Sequence, residues 1–571
     1  MKKKGFTLIE ILITIAVLAI LAVIVIIAIN PAQQFAAARN TQRQHDVKQI
    51  SNAIEQQAVK NKGKYSNLID SNWHMIGSAS DSCEITCGQQ GNSDPFIDQG
   101  QTAFDAGQYL NAQFLNNYVR LISGQISGSY ASSIKNSHQT ATVWSVLAWT
   151  PEKPTYKELP NNGFSGSGNE SGYPLGNANM TSNVLLFHAN ETGSGGVRTV
   201  YDTSSRLHNG TTYNFVAGDY NRTGKLRSAL NFDGTNNYVS IPSNTDIDSR
   251  TTPAYTNRAI ELWFYSNNLT GRHVIYKEGT TTNVNGTSGQ GFVIYTNSSN
   301  LYVGGFNRSA TPAINWYSFL NIGSLTTGRW YHVALTFGPA NNTIQPNCFF
   351  GYLNGQQISQ GSCRQLIAHA AATNIGRSSN AIHYHDGIRS GTAFYFNELI
   401  DEMAIYNRTL TATEIQDHYL RGALRLRFQA RSCNDQNCIG ENFIGPDGSI
   451  STYYSELNNT TLNPPSFSLT NITANKFFQY QAYLDSDQVS YTPGISRAQI
   501  NHNGISNGDW TEPDCISLAS ELVPLFLPAM PYDPKSGSLK KTFYAATLTD
   551  NNRLEIRSCK PELDQNISIK Q

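Results

Sequence analysis

With 571 residues, 41 basic and 41 acidic side chains and a net charge of zero, the chain is long enough for three or more domains. It carries no basic tract of the kind that gathers nucleic-acid phosphates, so nucleic-acid partners are not expected. Only 14% of residues are charged, aromatics reach 11% and glycine numbers 45, with Asn, Ser and Thr abundant. Long helical periodicity ends near residue 62, so the expected class is α+β and mainly β. In chain order, Met1-Lys-Lys-Lys-Gly5-Phe6-Thr-Leu-Ile-Glu10 sets a short basic leader and one acid before an apolar run ending at Ile29. From Phe6 that run makes a helix of roughly 36 Å, enough to cross a bilayer core of about 30 Å. The three lysines predict a cytoplasmic N-terminus, with everything after Asn30 exported.

Glu10 sits where a carboxylate costs a few kcal/mol and persists only with a partner or a task. A secretory signal cleaved at Ala36-Ala37-Ala38 would carry a shorter apolar stretch and no early acid. Lys4-Gly5-Phe6-Thr7-Leu8-Ile9-Glu10 resembles the class III leader of type IV pilins and type II secretion pseudopilins. The resemblance implies a leader of residues 1–5 cut after Gly5 by a prepilin peptidase, and an N-methylated new terminus at Phe6. It also implies that Glu10 pairs with the terminal amine of a neighbouring pilin subunit, each group stabilising the other's charged form. The protein would be a single-pass inner-membrane protein before assembly and a surface filament subunit afterwards. Asn30-Pro31 predicts a kink, and Ala36, Val47, Ile50 and Ile54 continue an amphipathic helix to about Lys60.

Eight cysteines lie beyond the apolar run, in sequence-near pairs: Cys83 and Cys87, Cys348 and Cys363, Cys433 and Cys438, Cys515 and Cys559. An exported chain permits disulfides, and four local bridges are the natural reading, with connectivity open. Zinc at Cys83 and Cys87 lacks a second ligand pair nearby. The C-terminal segment from Cys515 reads as a short helix, a proline-braced loop and a hairpin turned at Asp550-Asn551-Asn552. It resembles the C-terminal globular part of G-type pseudopilins and related pilins, where such a segment directly follows the N-terminal helix and one strand region. Residues 6–90 and 509–571 are therefore expected to form one pilin-like αβ unit interrupted by a large insertion, which closure entropy tolerates.

Within the insertion, strand-like segments separated by Gly, Asn and Ser turns run from Asn183 to about Arg421. Asn231-Phe-Asp233-Gly234-Thr-Asn-Asn-Tyr-Val239, Gly328-Arg-Trp330-Tyr-His-Val-Ala334, Tyr352-Leu-Asn354-Gly355 and Leu399-Ile-Asp401-Glu402-Met-Ala-Ile-Tyr406-Asn-Arg-Thr-Leu410 occur in order. They resemble the strand motifs of LamG-like, concanavalin A-like jelly rolls, implying such a domain over 181–422. A retaining glucanase of that superfamily would carry Glu-x-Asp-x-x-Glu. Glu398, Asp401 and Glu402 miss that spacing, so no enzymatic activity is expected. The resemblance implies a structural calcium with Asp202 and Asp401 as carboxylate ligands, the remaining oxygens coming from carbonyls. His188, His332, His383 and His385 are read as surface or satisfied core residues rather than ligands.

Residues 423–508, with Leu424-Arg-Leu-Arg-Phe and Phe477-Phe-Gln-Tyr-Gln-Ala-Tyr-Leu, predict a smaller Ig- or fibronectin-III-like sandwich. Residues 91–180 are Gly, Ser and Asn rich and are expected as a linker with one amphipathic stretch, Tyr109 to Ile122, and a Trp144-Ser-Val-Leu-Ala-Trp149 segment. The whole reads as a pilin-type subunit displaying a LamG-like domain that binds a glycan or cell-surface component, or serves as a bulky structural cap. A groove lined by Trp263, Trp316 or Tyr331 would favour binding.

Overall fold

The computed structural model describes residues 31–69, 74–78, 96–136, 142–161, 170, 172–193, 195–247, 257–279, 289–310, 313–338, 347–363, 371–378, 382–387, 393–459, 461–504, 516–540, 542–549, 553–559, 561–562, 565 and 567–570. Gly5, Phe6, Glu10, Cys83, Cys87, Cys515 and the turn at Asp550 lie outside the described residues.

The helix Pro31–Lys60 buries Ala36, Asn40, Arg43, Val47, Ile50, Ile54 and Ala58, a stripe advancing three or four residues at a time. That stripe packs on residues from the far end of the chain. Val47, Ile50 and Ile54 share a core with Ile516, Leu522, Tyr544, Leu554 and Ile556. His74–Met75, Tyr544–Leu548, Leu554–Ser558 and Ser568–Lys570 form a four-stranded antiparallel sheet in that order. Arg43 Nε lies 2.6 Å from Asp533 Oδ2 with both side chains fully buried, and Arg39 Nε lies 2.6 Å from Glu562. Helix and tail thus make one unit, with residues 96–504 between its halves.

The stretch 91–180 is not the irregular linker expected from its composition. It supplies Phe96–Gln99, Gln108–Leu110, Ala112–Leu115, Tyr118–Leu121, Ser127–Ala131, Lys135–Asn136 and Thr142–Pro151 to a two-sheet sandwich. Residues 424–504 supply the other five strands: Leu424–Cys433, Tyr454–Ser455, Ser466–Ser468, Phe477–Ser486 and Ile495–Gly504. Each sheet mixes the two halves. Thr142–Pro151 lies between Ser466–Ser468 and Ile495–Gly504, while Phe477–Ser486 lies between Leu424–Cys433 and Ser127–Ala131. Trp149 stacks on Phe428 with ring centroids 4.1 Å apart, in a core with Trp144, Leu147, Tyr480 and Ile500. The unit expected over 423–508 alone is therefore half a domain, because its strands need partners more than 300 residues upstream.

The jelly roll from Asn183 to Ala423 is in turn inserted into that sandwich. Its two eight-stranded antiparallel sheets enclose a core that includes Phe187, Phe232, Leu262, Phe264, Phe292, Ile294, Leu335, Phe349 and Ile405. Asn397–Tyr406 lies centrally, between Ser228–Asp233 and Arg258–Ser266, and also pairs with Asn183–Phe187. The helix Ala412–Ala423 starts in a capping box, Thr411 accepting from the Glu414 amide and Glu414 accepting from Thr411. It covers Trp263 and runs directly into Leu424. Disulfides join Cys348 to Cys363 and Cys433 to Cys438, and Cys559 is also disulfide-bonded.

Candidate functional site

The acids of the last jelly-roll strand are set apart by the backbone. Opposite them the register of Arg258–Ser266 shifts between Glu261 and Trp263, and Glu402 takes a left-handed φ of 50°. Asp401 is wholly buried beside Phe187, Leu230, Phe232 and Met403, one carboxylate oxygen accepting from the Leu226 amide at 2.9 Å. Burial, with Glu402 adjacent, pushes Asp401 well above the usual carboxylate range. Glu398, with φ 101°, stands at the strand's start.

The expected calcium ligands do not fit the ion. Both Asp202 oxygens are engaged by its own turn and by the strand Asn183–Phe187, accepting from the amides of Leu186, Ser204 and His208 and from the Ser204 hydroxyl, all at 2.7–2.8 Å. Asp401 faces apolar side chains, and its other oxygen has no hydrogen-bond partner among the described residues. Calcium asks for six to eight oxygens, and neither carboxylate offers that environment.

Glu402 instead meets His188, a buried histidine with both ring nitrogens in contact with polar partners. His188 Nδ1 lies 2.5 Å from Glu402 Oε1, and Nε2 lies 2.7 Å from Asn161 Oδ1. Glu158 completes the group, and one ligand atom from each of Glu158, His188 and Glu402 lies within 4.8 Å of the others. Burial works against the charge of His188, but Glu402 in contact and Glu158 beyond it hold its pKa up at about 9. Burial and Glu402 together raise Glu158. Glu158 belongs to the segment between the two sandwiches, and Arg421 fixes that segment. Arg421 Nη2 donates to the Glu158 carbonyl at 2.7 Å, and the guanidinium makes two 2.9 Å bonds to Glu170.

Next to this group a cavity of about 10 Å³, room for roughly one water, is lined by Glu402, Glu261, His332, His418, Trp263 and Arg421 among others. His418 Nδ1 lies 2.8 Å and His332 Nε2 3.6 Å from Glu261. Burial opposes the Glu261 charge, yet His418 and His332 hold it below the usual carboxylate range. His383 is buried with its ring stacked over Tyr317, and His385 stacks on Tyr302 at 3.9 Å.

The aromatic groove expected from sequence is not formed by Trp263 or Tyr331. Trp263 is 3% exposed beneath Tyr419, and Tyr331 is 9% exposed with its hydroxyl 3.0 Å from Thr326. Trp316 is half-buried against Phe349. A concavity of about 360 Å³ lies on the other sandwich, lined by Gln108, Tyr109, Arg431, Phe443, Gln479 and Gln481 among others. Among the described residues no helix is long and apolar enough to cross a membrane, and the apolar run lies outside them.

Residues 1–26 match the prokaryotic N-terminal methylation motif, and residues 233–416 match the concanavalin A-like lectin/glucanase superfamily. The chain is thus of pilin type, with a class III leader and a LamG-like, lectin-like domain between the halves of its helix-and-hairpin unit. Among solved structures it is similar to domain 4 of AbnA, a GH43 extracellular arabinanase from Geobacillus stearothermophilus in complex with arabinotriose. That match has 16% identity and a TM-score of 0.27, covering 42% of this chain and 98% of that one. Trypanosoma rangeli sialidase in complex with the inhibitor DANA matches at 15% identity and TM-score 0.29, over 43% of this chain and 33% of the sialidase. The binding domain of botulinum neurotoxin DC in complex with SialylT matches at 13% and 0.28, over 44% of this chain and 57% of that one. At these values the likenesses assign no activity here. A comparison with curated proteins found no match.

Proposed function

We propose that the protein is a minor pilin or pseudopilin that displays its LamG-like domain outside the cell to bind a glycan or another cell-surface component. A prepilin peptidase would cut after Gly5, the apolar run would hold the precursor in the inner membrane with its N-terminus cytoplasmic, and Phe6 and Glu10 would engage neighbouring pilin subunits. The observation that carries this reading is the leader motif over 1–26 on a chain whose helix Pro31–Lys60 shares a core with 516–567. Residues 96–504 lie in sequence between the two halves of that unit, an arrangement that supports a cargo projecting from a filament. Hydrolysis is not part of the proposal: Asp401 and Glu402 are both buried, are engaged by backbone amides and do not face each other across a cleft. Burial of Trp263 and Tyr331 favours a second reading, in which the jelly roll is a cap without a ligand. Filaments carrying the full chain, and filaments carrying a version lacking 96–504, would be compared on a glycan array and on host or bacterial cells. Binding that disappears with the insertion supports adhesion, and equal binding supports the cap. A mature N-terminus other than Phe6 by mass spectrometry would remove the pilin reading itself.

A further inference from the structure

We propose that Glu158, His188 and Glu402 form a zinc-binding site that locks the segment entering the jelly roll onto its last strand. The three residues come from three stretches: the 152–161 segment leaving the second sandwich, the turn after Asn183–Phe187, and the centre of Asn397–Tyr406. The proposal is independent of any adhesive role.

An amide oxygen only accepts, so the 2.7 Å contact to Asn161 Oδ1 places the hydrogen of a neutral His188 on Nε2. Nδ1 then points its lone pair at Glu402 Oε1, 2.5 Å away. Two lone pairs at that separation need a cation between them, either a proton or a metal. The surroundings match what metal ligands require around them. Asn161 fixes the imidazole tautomer, the Leu159 amide donates to Glu402 Oε2 at 3.1 Å, and Asn190 Nδ2 donates to Glu158 Oε1 at 2.6 Å. His188 and Glu402 each have one atom oriented by an outer bond and turn the other toward the centre, whereas Glu158 Oε2 lies 3.2 Å from Arg227 Nε in a partly exposed pair that a bound ion would displace.

One imidazole and two carboxylates suit zinc, whereas calcium would need oxygens this group does not offer. Zinc bonds of about 2.0–2.2 Å place neighbouring tetrahedral ligand atoms roughly 3.3 Å apart. Glu402 and His188 would have to separate by under about 1 Å, which a carboxylate side chain accommodates by rotation. His188 and Glu402 are buried while Asn161 is exposed, so the ion enters from the Asn161 side, and water fills the fourth position. The consequence is a second pin on the crossover, beside the Arg421 contacts to the carbonyls of Lys157 and Glu158.

The test uses the full chain in detergent, stripped with a chelator and titrated calorimetrically with zinc chloride, with calcium and manganese chlorides in parallel. The expected result is one zinc per chain with a dissociation constant at or below about 1 µM, and binding tighter than that of calcium. Glu158→Gln, at a partly exposed position, should weaken zinc at least about 100-fold while leaving the metal-free circular dichroism and melting unchanged. Asn161→Ala should weaken it roughly tenfold through the lost orienting bond. Nitrogen NMR of His188 should show Nδ1 losing its proton as zinc is added. No zinc uptake, uptake indifferent to Glu158→Gln and His188→Gln, or an Nδ1 that stays protonated in saturating zinc would each overturn the proposal and leave a plain histidine–glutamate ion pair.

Discussion

Replacing Asp533 by alanine should loosen the helix-and-hairpin unit more than any surface substitution, because Asp533 performs two tasks at once. Its Oδ2 accepts from Arg43 Nε at 2.6 Å, both side chains being fully buried. Its Oδ1 accepts from the amides of Lys535 and Ser536 at 2.9 Å, which shapes the turn after Pro531. Removing one partner of a buried pair costs about 3–5 kcal/mol. Glu562, 2.9 Å from Arg43 Nη1, compensates part of that, so the expected loss is about 2–4 kcal/mol. Arg43 Nη2 has no partner among the described residues even in the native chain. The double replacement Arg43→Met with Asp533→Asn removes an unsatisfied group along with the charge pair but keeps an oxygen for the Lys535 and Ser536 amides, and should recover most of the loss. The assay is native-state hydrogen exchange of the chain lacking residues 1–30, read at helix amides 43–58 and hairpin amides 544–558. Both sets should lose protection together in Asp533→Ala and recover together in the double variant. Helix amides unmoved by Asp533→Ala, or a double variant as weak as the single, would refute the reasoning.

Three further outcomes are expected. Glu456 is wholly buried, and burial outweighs Lys157 and Tyr173 to lift its pKa from 4.5 to about 7. The folded state keeps a proton that the unfolded chain releases, so stability falls by up to about 3 kcal/mol as pH rises from 4.5 to 7; urea unfolding should show this, and Glu456→Gln should flatten it. Trp149→Ala should cost about 3–5 kcal/mol in the second sandwich, and residues 424–504 expressed alone should show no cooperative thermal transition, since Phe428 and Ile500 would lose the Trp149 half of their core. Glu10→Leu should leave membrane insertion intact and abolish incorporation into filaments, scored by immunoblotting of sheared filaments against membranes.

What was legible in the sequence is what short-range chemistry determines. Asn354 and Gly355 adopt φ of 50° and 76° in the hairpin joining Cys348–Leu353 to Gln356–Cys363, as an Asn-Gly turn should. Asp233 accepts from the amides of Thr235, Asn236 and Asn237, the local signature that marks the jelly-roll motif. The Thr411 to Glu414 capping box is equally local. The amphipathic stretch Tyr109–Ile122 is not part of a linker. Asn111, Asn116 and Asn117, all at positive φ, cut it into short strands instead. The sandwich escaped detection because pairing such as Ala148 to Gln499 leaves no mark within either segment. His188 escaped for the same reason: Glu158 and Glu402 lie 30 residues before it and 214 after it, at no recognisable spacing. Trp263 looked like a candidate sugar platform because nothing in its strand tells that a helix beginning at Ala412 will cover it.

The nested order also has a mechanical basis, visible where each insertion leaves its host. At the outer junction the two departing chains are tied to each other: Ile76 and Ile516 form a parallel bridge, the Gly77 amide donates to the Ile516 carbonyl at 3.0 Å, and the Ile516 amide donates to the Met75 carbonyl at 2.9 Å. With the ends fixed side by side by the host itself, the cost of a longer insertion grows only as the logarithm of its length, so more than 400 residues burden the helix unit little more than a short loop would. The inner junction is tighter. The helix Ala412–Ala423 passes without a loop into Leu424–Cys433, and Arg421 with Glu170, Lys153 with Asp417 and Lys225 with Asp487 bridge the two bodies on several sides. Ion pairs thus brace both covalent connections of this joint. Parting the jelly roll from the second sandwich would therefore require breaking these ion pairs as well as displacing the helix from the strand that continues it.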